Sequence, residues 1–140
     1  MLLHIIARGK IGRSAEAELV DRYVKRLTMP HKITELPDRG GKPPVAPPGA
    51  VTIMLDEKGR QLSSLEFSKR LENWRDAGVR ECRFLIGGAD GFEEAERARA
   101  DLLIAFGAMT WPHMMARAML AEQLWRACSI LAGHPYHREG

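Results

Sequence analysis

The stretch ECRFLIGGADG, residues 81–91, reads as a buried β-strand that runs directly into a glycine-rich turn. Glycine lets a backbone adopt positive φ angles and approach a ligand closely. These glycines do not follow the dinucleotide-binding spacing G-x-G-x-x-G, because Ala89 stands where the second glycine would be. Glu93 and Glu94 follow and would repel a phosphate at the start of the next helix. The turn therefore fits either a ligand with little phosphate, such as a nucleoside, or no ligand at all.

Outward from this turn, short apolar strands alternate with helical segments. Further strands are predicted at 2–7, 31–36, 51–56 and within 101–111, and helices at 14–27, 64–78, 93–100 and 113–133. Residues 57–62 are expected to form a turn. The order β-α-β-β-α-β-α-β-α predicts a single α/β domain over residues 1–140. We expect a mostly parallel sheet of five or six strands with helices on both faces.

Residue types at the helix ends support these boundaries. Ser14 is a predicted N-cap, and either Ser63 or Ser64 caps the second helix, because a serine hydroxyl can accept from a free backbone N–H of the first turn. Gly78 and Gly133 are the predicted helix stops.

Positive charge is concentrated near the two ends of the chain. The 140 residues carry a formal net charge of +3 and a pI of about 9.1, which is a mild sign of a polyanionic partner. One cluster, RGKIGR, covers residues 8–13, and a second combines Arg117, Arg126 and Arg138. Each cluster fits either a phosphate-binding surface or ordinary solvated charge.

Residues 37–50, PDRGGKPPVAPPGA, are dense in proline and glycine. Proline fixes φ and has no backbone N–H, so five prolines exclude a helix here. A surface loop is predicted. Because the segment carries Arg39 and Lys42, a mobile loop that contacts phosphate stays open as an alternative.

The apolar segments are too short to span a bilayer, since no run reaches eighteen residues. The N-terminal stretch is also too short for a signal peptide, and its charges follow the apolar residues instead of preceding them. We therefore expect a cytoplasmic protein. Cys82 and Cys128 lie in apolar segments and are expected to be buried free thiols.

The segment GAMTWPH, residues 107–113, joins the fifth apolar run to the last helix. Ligands of open α/β sheets bind outside the carboxyl ends of the strands, where this segment, the glycine turn and LDEKG (residues 55–59) are expected to meet, with Leu55 covering the pocket. Its small residues and backbone groups can wrap a purine, while Met109 and Trp111 supply apolar surface. A connection without a ligand is the alternative, and Leu55 by itself fits a core position better than a ligand site.

The C-terminal segment HPYHREG, residues 134–140, holds two imidazoles, a phenol and a guanidinium. No Cys-x-x-Cys or His-Glu-x-x-His motif accompanies these histidines, so we expect no metal site. A serine hydrolase is disfavoured because the chain has no G-x-S-x-G motif. Gly133 is expected to end the last helix and Pro135 to prevent its restart, so that the tail leaves in extended form.

Three stretches together resemble a known family: FLIGGADGF (84–92), MTWPHMMARAMLAEQLWRACSI (109–130) and HPYHRE (134–139). They are similar to the bacterial family of ribosomal RNA large-subunit methyltransferase H, which belongs to the SPOUT superfamily. The resemblance implies methylation of the N3 ring nitrogen of a pseudouridine in large-subunit (23S) ribosomal RNA, with S-adenosylmethionine as the methyl donor.

The resemblance also implies a SPOUT fold, in which the C-terminal part threads through a loop to form a trefoil knot. It implies a homodimer with the last helix at the interface and the tail of one subunit at the cofactor of the other. The expected partner is the assembled ribosome, with neither DNA nor a membrane involved. Carried over by position, the residues expected at the cofactor are Leu55, Gly88, Gly107, Ala108, Met109, Thr110, Trp111 and Pro112.

The tail residues Tyr136, His137 and Arg138 are the expected catalytic group. Histidine titrates nearest pH 7, so His137 is the candidate base that removes the N3 proton. Arg138 can hold a phosphate or stabilise negative charge on the carbonyl oxygens of the base. Tyr136 can stack on the target base or on a neighbour.

The chain departs from the family pattern in residues 40–50, GGKPPVAPPGA, which replace a basic, helix-forming stretch of its relatives. RNA contacts inferred for that stretch in relatives are therefore not carried over. Two rival functions stay open: a non-catalytic ribosome- or RNA-binding protein with the same fold, and a different nucleotide-using enzyme on an α/β sheet.

Overall fold

The computed structural model describes residues 1–138, which form one parallel sheet covered by helices. The strands are β1 (Leu2–Arg8), β2 (His31–Leu36), β3 (Val51–Arg60), β4 (Glu81–Ile86) and β5 (Leu102–Ile104). The helices are α1 (Ala15–Val24), α2 (Ser64–Asp76), α3 (Glu94–Arg99) and α4 (His113–Leu131). The strand order is β2-β1-β4-β3-β5, and every neighbouring pair is parallel. The predicted element order and the α/β class are confirmed, and the trefoil knot stays a prediction.

The predicted N-caps hold the starts of α1 and α2. The Ser14 hydroxyl accepts a hydrogen bond from the Ala17 amide at 3.1 Å. Ser63, and not Ser64, caps α2 through a capping box, in which its hydroxyl accepts from the Glu66 amide and the Glu66 carboxylate accepts from the Ser63 amide. Helix α1 ends at Val24, earlier than predicted.

The main core lies between one face of the sheet and helices α2 and α4. Alternation along the strands places Ile53, Phe84 and Ile5 side by side on this face. The buried helix residues that pack against them are Phe67, Leu71, Leu120 and Leu124. Helix α1 adds a second, smaller cluster against α4.

The opposite face of the sheet carries α3 and a buried polar cluster. Arg97 of α3 forms an ion pair with Asp56, which alternation turns away from the main core. The prediction of helices on both faces is confirmed, although this face has only the short α3 among the described elements. On the same face of the sheet, the ring of buried His4 contacts the Thr34 hydroxyl at 2.7 Å through Nε2 and the Glu81 carboxylate at 3.4 Å through Nδ1.

Strand β3 is longer than predicted, and the turn expected at residues 57–62 is wrong for residues 57–60, which belong to the strand. After an irregularity in the pairing with β5, the strand continues to Arg60, which pairs with Ile104. Gly59 makes this possible, because a Cβ there would lie 2.6 Å from the backbone of Ile104. The extension carries Glu57 and Lys58 to the edge of the site described below.

Both cysteines are buried and free, as predicted. Burial raises the pKa of the Cys82 thiol to about 12, so this thiol stays protonated at neutral pH. Among the helices of residues 1–138, none combines the length and the apolar character that a membrane span requires.

Candidate active site

A cavity of about 610 Å³ opens at the carboxyl ends of β3, β4 and β5. Leu55 lies in register with Ile86 on one side and Ile104 on the other, so three apolar side chains form its floor. The volume falls within the range of small-molecule sites. The position agrees with the general rule that ligands of open α/β sheets bind beyond the strand ends.

The glycine turn after β4 forms one wall of the cavity. The Gly91 amide donates to the Gly88 carbonyl at 3.0 Å, and Gly91 has a positive φ of 69°. A Cβ on Gly87 would lie 3.2 Å from the Gly91 backbone, which is tighter than an ordinary contact. The turn closes this tightly because Gly87 has no side chain and Gly91 accepts the left-handed conformation.

The segment 107–112 forms the facing wall. Gly107 turns the chain with a φ of 103°, and the Trp111 indole donates to the Phe106 carbonyl at 3.0 Å. The Thr110 hydroxyl donates to the Glu57 carboxylate at 2.5 Å and so joins the loop to the extension of β3. Met109 is 77% exposed at the mouth, where it can cover a ligand.

Seven of the eight residues predicted at the cofactor line this cavity: Leu55, Gly88, Gly107, Met109, Thr110, Trp111 and Pro112. Ala108 does not line it and is exposed. The sequence places residues 55–59 at this edge of the sheet, but only Leu55 of them was predicted at the cofactor, and Glu57 and Lys58 also line the cavity.

Charged side chains at the edge of the cavity are held by local pairing. Burial alone would raise the pKa of Asp56, but hydrogen bonds from the Arg97 guanidinium and the Lys58 amide outweigh it, so the pKa falls below its usual range. Asp56 is therefore ionised at neutral pH and fixes α3 beside the site. Glu57, Lys58 and Asp90 also line the cavity, so three carboxylates and two cations make the lining slightly acidic.

Gly133 stops helix α4 two residues after Leu131, as predicted. The His134 amide donates to the Ser129 carbonyl and the Gly133 amide to the Ile130 carbonyl, while Gly133 takes a φ of 73°. This hydrogen-bond pattern is a Schellman motif. The predicted extended exit of the tail is wrong, because residues 135–136 form a turn that sends the chain back toward α4.

Tyr136 and His137 of the tail pack on the second half of their own α4. The Tyr136 ring lies 3.9 Å from that of Trp125, measured between centroids, and its hydroxyl donates to Glu122 at 3.2 Å. Arg126 lies over the Tyr136 ring and forms an ion pair with Glu122. Burial raises the pKa of the Tyr136 phenol and the Glu122 carboxylate raises it further, so this hydroxyl is a donor at neutral pH.

His137 is held by the same arginine. The Arg126 guanidinium donates to Nδ1 of His137 at 3.0 Å. Because arginine has no acceptor, Nδ1 must carry the lone pair, and the proton of a neutral ring lies on Nε2. That Nε2 is buried and has no hydrogen-bond partner among residues 1–138.

The fold does not bring the tail to the cavity of the same chain. His113 and Ala116, in the first turn of α4, line the cavity, whereas the tail contacts Glu122, Trp125 and Arg126. The nine residues from Ala116 to Trp125 span roughly 14 Å along a helix. The predicted cofactor residues and the predicted catalytic residues thus form two separate groups in one chain.

The second cationic cluster expected from the sequence is not a cationic surface. Arg117 is only 1% exposed and forms an ion pair with Glu35 at 2.5 Å. Arg126 is ion-paired with Glu122, and among the three arginines of this cluster only Arg138 is exposed. Sequence proximity on one helix could not reveal these partners, because Glu35 lies 82 positions away.

Comparison with known proteins agrees with this geometry. A family model described as "Predicted SPOUT methyltransferase" matches residues 1–137. A Sphingopyxis alaskensis protein is 71% identical over 140 residues, covering 100% of this chain and 99% of that protein, and a Rhizorhabdus wittichii protein is 69% identical with 100% of both covered. Both are named ribosomal RNA large subunit methyltransferase H.

A solved structure described as a probable methylase family protein from Haemophilus influenzae Rd KW20 has a TM-score of 0.63. The match covers 98% of this chain and 70% of that one at 10% sequence identity, so it supports the fold alone. With a parallel sheet, a cavity beyond its strand ends and a family match over nearly the whole length, the chain belongs to the SPOUT methyltransferases.

Proposed function

We propose that the chain transfers a methyl group from S-adenosylmethionine to N3 of a pseudouridine in large-subunit (23S) ribosomal RNA, on assembled ribosomes in the cytoplasm. The observation that carries the proposal is the cavity beyond β3, β4 and β5, lined by seven predicted cofactor residues in a chain of a methyltransferase family. The printed names of its relatives support ribosomal RNA as the substrate.

The residues of the cavity fit S-adenosylmethionine better than a polyphosphate nucleotide. The apolar floor suits a purine, and the turn at Gly87 and Gly91 lets backbone groups approach it. The Glu57 carboxylate in the cavity lining favours a positively charged sulfur over a diphosphate or triphosphate. At the start of α3, the Glu96 carboxylate already accepts from the Glu93 amide at 3.1 Å. These features argue against an enzyme that uses ATP or NAD.

S-adenosylmethionine, when bound, supplies a methyl group on a sulfonium. The loop 107–112 and the glycine turn position the donor, since in-line transfer depends mainly on placement of the reacting atoms. The nucleophile N3 must lose its proton, and its pKa lies above neutrality. A base or a nearby cation beside the cavity is therefore needed.

We assign these tasks to the tail. His137 accepts the N3 proton at Nδ1, which bears the lone pair but must first separate from Arg126. Arg138, which is exposed, stabilises negative charge on the carbonyl oxygens or holds a phosphate. Tyr136 stacks on a base.

The separation of tail and cavity within one chain supports a homodimer in which each tail serves the cavity of the partner subunit. Helix α4 carries both groups, with the cavity at its first turn and the tail packed on its last turns. An antiparallel pairing of two α4 helices would bring the tail of one subunit to the cavity of the other. Met115 on α4, which is 42% exposed, offers apolar surface for such a pairing.

Calorimetry tests cofactor use. We expect S-adenosylmethionine to bind, and ATP and NAD not to bind. A chain that binds none of them would favour the rival reading of a non-catalytic RNA-binding protein.

Methyl transfer to unmodified ribosomes and to naked ribosomal RNA tests the substrate. We expect transfer to ribosomes, with the methyl group located at N3 of a pseudouridine by mass spectrometry. Equal transfer to naked RNA would contradict recognition of the assembled particle.

A further inference from the structure

Two cationic segments that are distant in sequence lie side by side at the carboxyl edge of the sheet. The Gly9 amide donates to the Leu36 carbonyl at 2.8 Å, and the Ile11 amide donates to the Glu35 carboxylate at 2.8 Å. These bonds join residues 8–13, after β1, to residues 37–42, after β2. We call the two segments together the cationic rim.

Arg8 fixes the second segment to the first. Its guanidinium donates to the carbonyl oxygens of Pro37 at 3.0 Å and Gly41 at 3.2 Å, and also to that of Gly40. One planar guanidinium that donates to three carbonyl oxygens fixes the position of the first residues of the proline-rich loop. The loop is therefore attached where it leaves β2.

An ion pair between a buried arginine and a partly exposed glutamate holds the rim in place. Arg117 of α4 pairs with Glu35 and also donates to the carbonyl oxygens of Gly9 at 2.9 Å and Arg8 at 3.3 Å. Because His113 and Ala116 on the same helix line the cavity, Arg117 sets the position of the rim relative to the cofactor site.

The rim contains more positive charge than the whole chain. It has five cationic residues and one carboxylate, Asp38, and therefore a net charge of +4, against +3 for the entire protein. The remainder of the chain is thus slightly acidic. The exposed cations are Lys10, Arg13, Arg39 and Lys42.

The rim adjoins the cavity through the glycine turn. A Cβ on Gly88 would lie 3.6 Å from Cβ of Arg8 and 3.7 Å from the carbonyl oxygen of Asp38. Arg39 reaches Asp90 of the same turn at 3.5 Å. A polymer that places one base in the cavity must therefore pass close to the rim.

We infer that the cationic rim binds the phosphodiester backbone of the RNA beside the methylated nucleotide, in the same subunit that holds the cofactor. This inference rests on the proposed function. Neither segment contains an aromatic residue, which a protein partner would commonly use as an anchor. Exposed lysines and arginines without aromatic anchors suit phosphates, whose neutralisation releases counterions.

The test compares two double variants with the same loss of charge. Lys10→Ala/Lys42→Ala takes one cation from each segment of the rim and leaves the Arg39–Asp90 ion pair at the cavity in place. Arg75→Ala/Arg80→Ala takes two exposed cations near the start of β4, at the opposite edge of the sheet. Ribosome binding is measured by sedimentation over a range of salt concentrations, methyl transfer is measured on ribosomes, and calorimetry follows S-adenosylmethionine binding.

We expect the rim variant to bind ribosomes at least about tenfold more weakly, and the slope of log affinity against log salt to fall by about two, one for each lost phosphate contact. Its KM for ribosomes should rise in parallel, with cofactor affinity unchanged. The control variant should match the wild type in every measurement.

Unchanged ribosome affinity in the rim variant would overturn the inference. Weaker binding with an unchanged salt slope would also overturn it, because that result indicates a contact with ribosomal protein instead of phosphate. Sedimentation needs no methyl transfer, so the rim is tested even if the wild-type chain proves inactive and the proposed function fails.

Discussion

The guanidinium of Arg126 donates to Nδ1 of His137 at 3.0 Å while it is ion-paired with Glu122, so one side chain of α4 fixes the tautomer of the candidate base. The same group lies over the ring of Tyr136. Arg126 therefore organises the tail without being part of it. Residues 134–138 of the tail, as a consequence, form a structured extension of the helix.

Replacing Arg126 with Met should disorganise the tail and lower kcat. Small displacements of catalytic groups can cost on the order of 100-fold in rate. We expect a loss of about that size in methyl transfer to ribosomes, with S-adenosylmethionine affinity unchanged by calorimetry. Arg22→Met, on the exposed surface of α1, is the matched control. A kcat within twofold of wild type would show that the Arg126 contact has no catalytic consequence.

Replacing Arg117 with Met should destabilise the fold. The substitution leaves Glu35 and the Gly9 carbonyl oxygen without their buried partner. Breaking a buried pair costs several kcal/mol, but the Glu35 side chain is 34% exposed, so we expect a loss of about 2–3 kcal/mol in the free energy of unfolding. Urea denaturation measures it.

The control for Arg117 is Glu35→Gln, which keeps an oxygen acceptor for the guanidinium and removes one charge. It should cost less than Arg117→Met. If Arg117→Met shifts the urea midpoint no more than an exposed substitution does, the buried pair is not an anchor of the rim.

Gly59→Ala tests the extension of β3. The added Cβ would lie 2.6 Å from the backbone of Ile104, which cannot move as a side chain tip can. We expect a loss of about 1–3 kcal/mol in stability, together with weaker cofactor binding, because Glu57 and Lys58 line the cavity on this extension. At Gly88 the nearest atom would lie 3.6 Å from an added Cβ, so Gly88→Ala should lower the free energy of unfolding by only about 0.5 kcal/mol. Equal stability of the two variants would contradict this geometry.

The buried cluster around His4 should make the protein less stable in acid. Burial lowers the pKa of His4 more than Glu81 raises it, so the unfolded state takes up this proton first as the pH falls below the ordinary value of 6.5. Burial would raise the pKa of Glu81, but hydrogen bonds from Arg83 and His4 lower it more. The stability that ionised Glu81 contributes is therefore present above the ordinary pKa of 4.5. It is lost below that value, as the pH falls through the lowered pKa of the folded state. Both shifts reduce stability on acidification.

His4→Gln, which does not titrate, isolates the first of these effects. Between pH 7 and pH 5 its free energy of unfolding should fall less steeply than that of the wild type, measured by urea denaturation at each pH. Parallel curves would show that His4 does not contribute to the pH dependence.

Local sequence signals predicted the elements well, because caps and apolar periodicity act over a few residues. Ser14, Ser63 and Gly133 mark helix ends whose hydrogen bonds lie within five positions along the chain. The glycine turn and the loop 107–112 were located because glycine-rich and small-residue segments follow the apolar runs.

The missed features depend on contacts between distant residues. From the sequence alone, Gly59 is predicted in a turn, because its close contact with the Ile104 backbone is not visible there. Arg117 likewise resembles a surface cation, because the sequence does not show its ion pair with Glu35. The return of the tail onto Trp125 depends on aromatic packing and an arginine contact that no local rule describes. The assignment of the tail to catalysis came from family resemblance, and spacing alone did not supply it.

The central claim is that the tail of one subunit completes the cavity of the other, and mixed dimers test it most directly. One subunit is truncated after Gly133, and the other carries Gly107→Val, which a φ of 103° should not tolerate at the cofactor loop. Each variant alone should be inactive, with cofactor binding retained only by the truncated one. After mixing, we predict about one quarter of the wild-type methyl transfer, because half of the dimers combine both variants and each of these has one complete site. No recovery of methyl transfer in confirmed mixed dimers would contradict the claim.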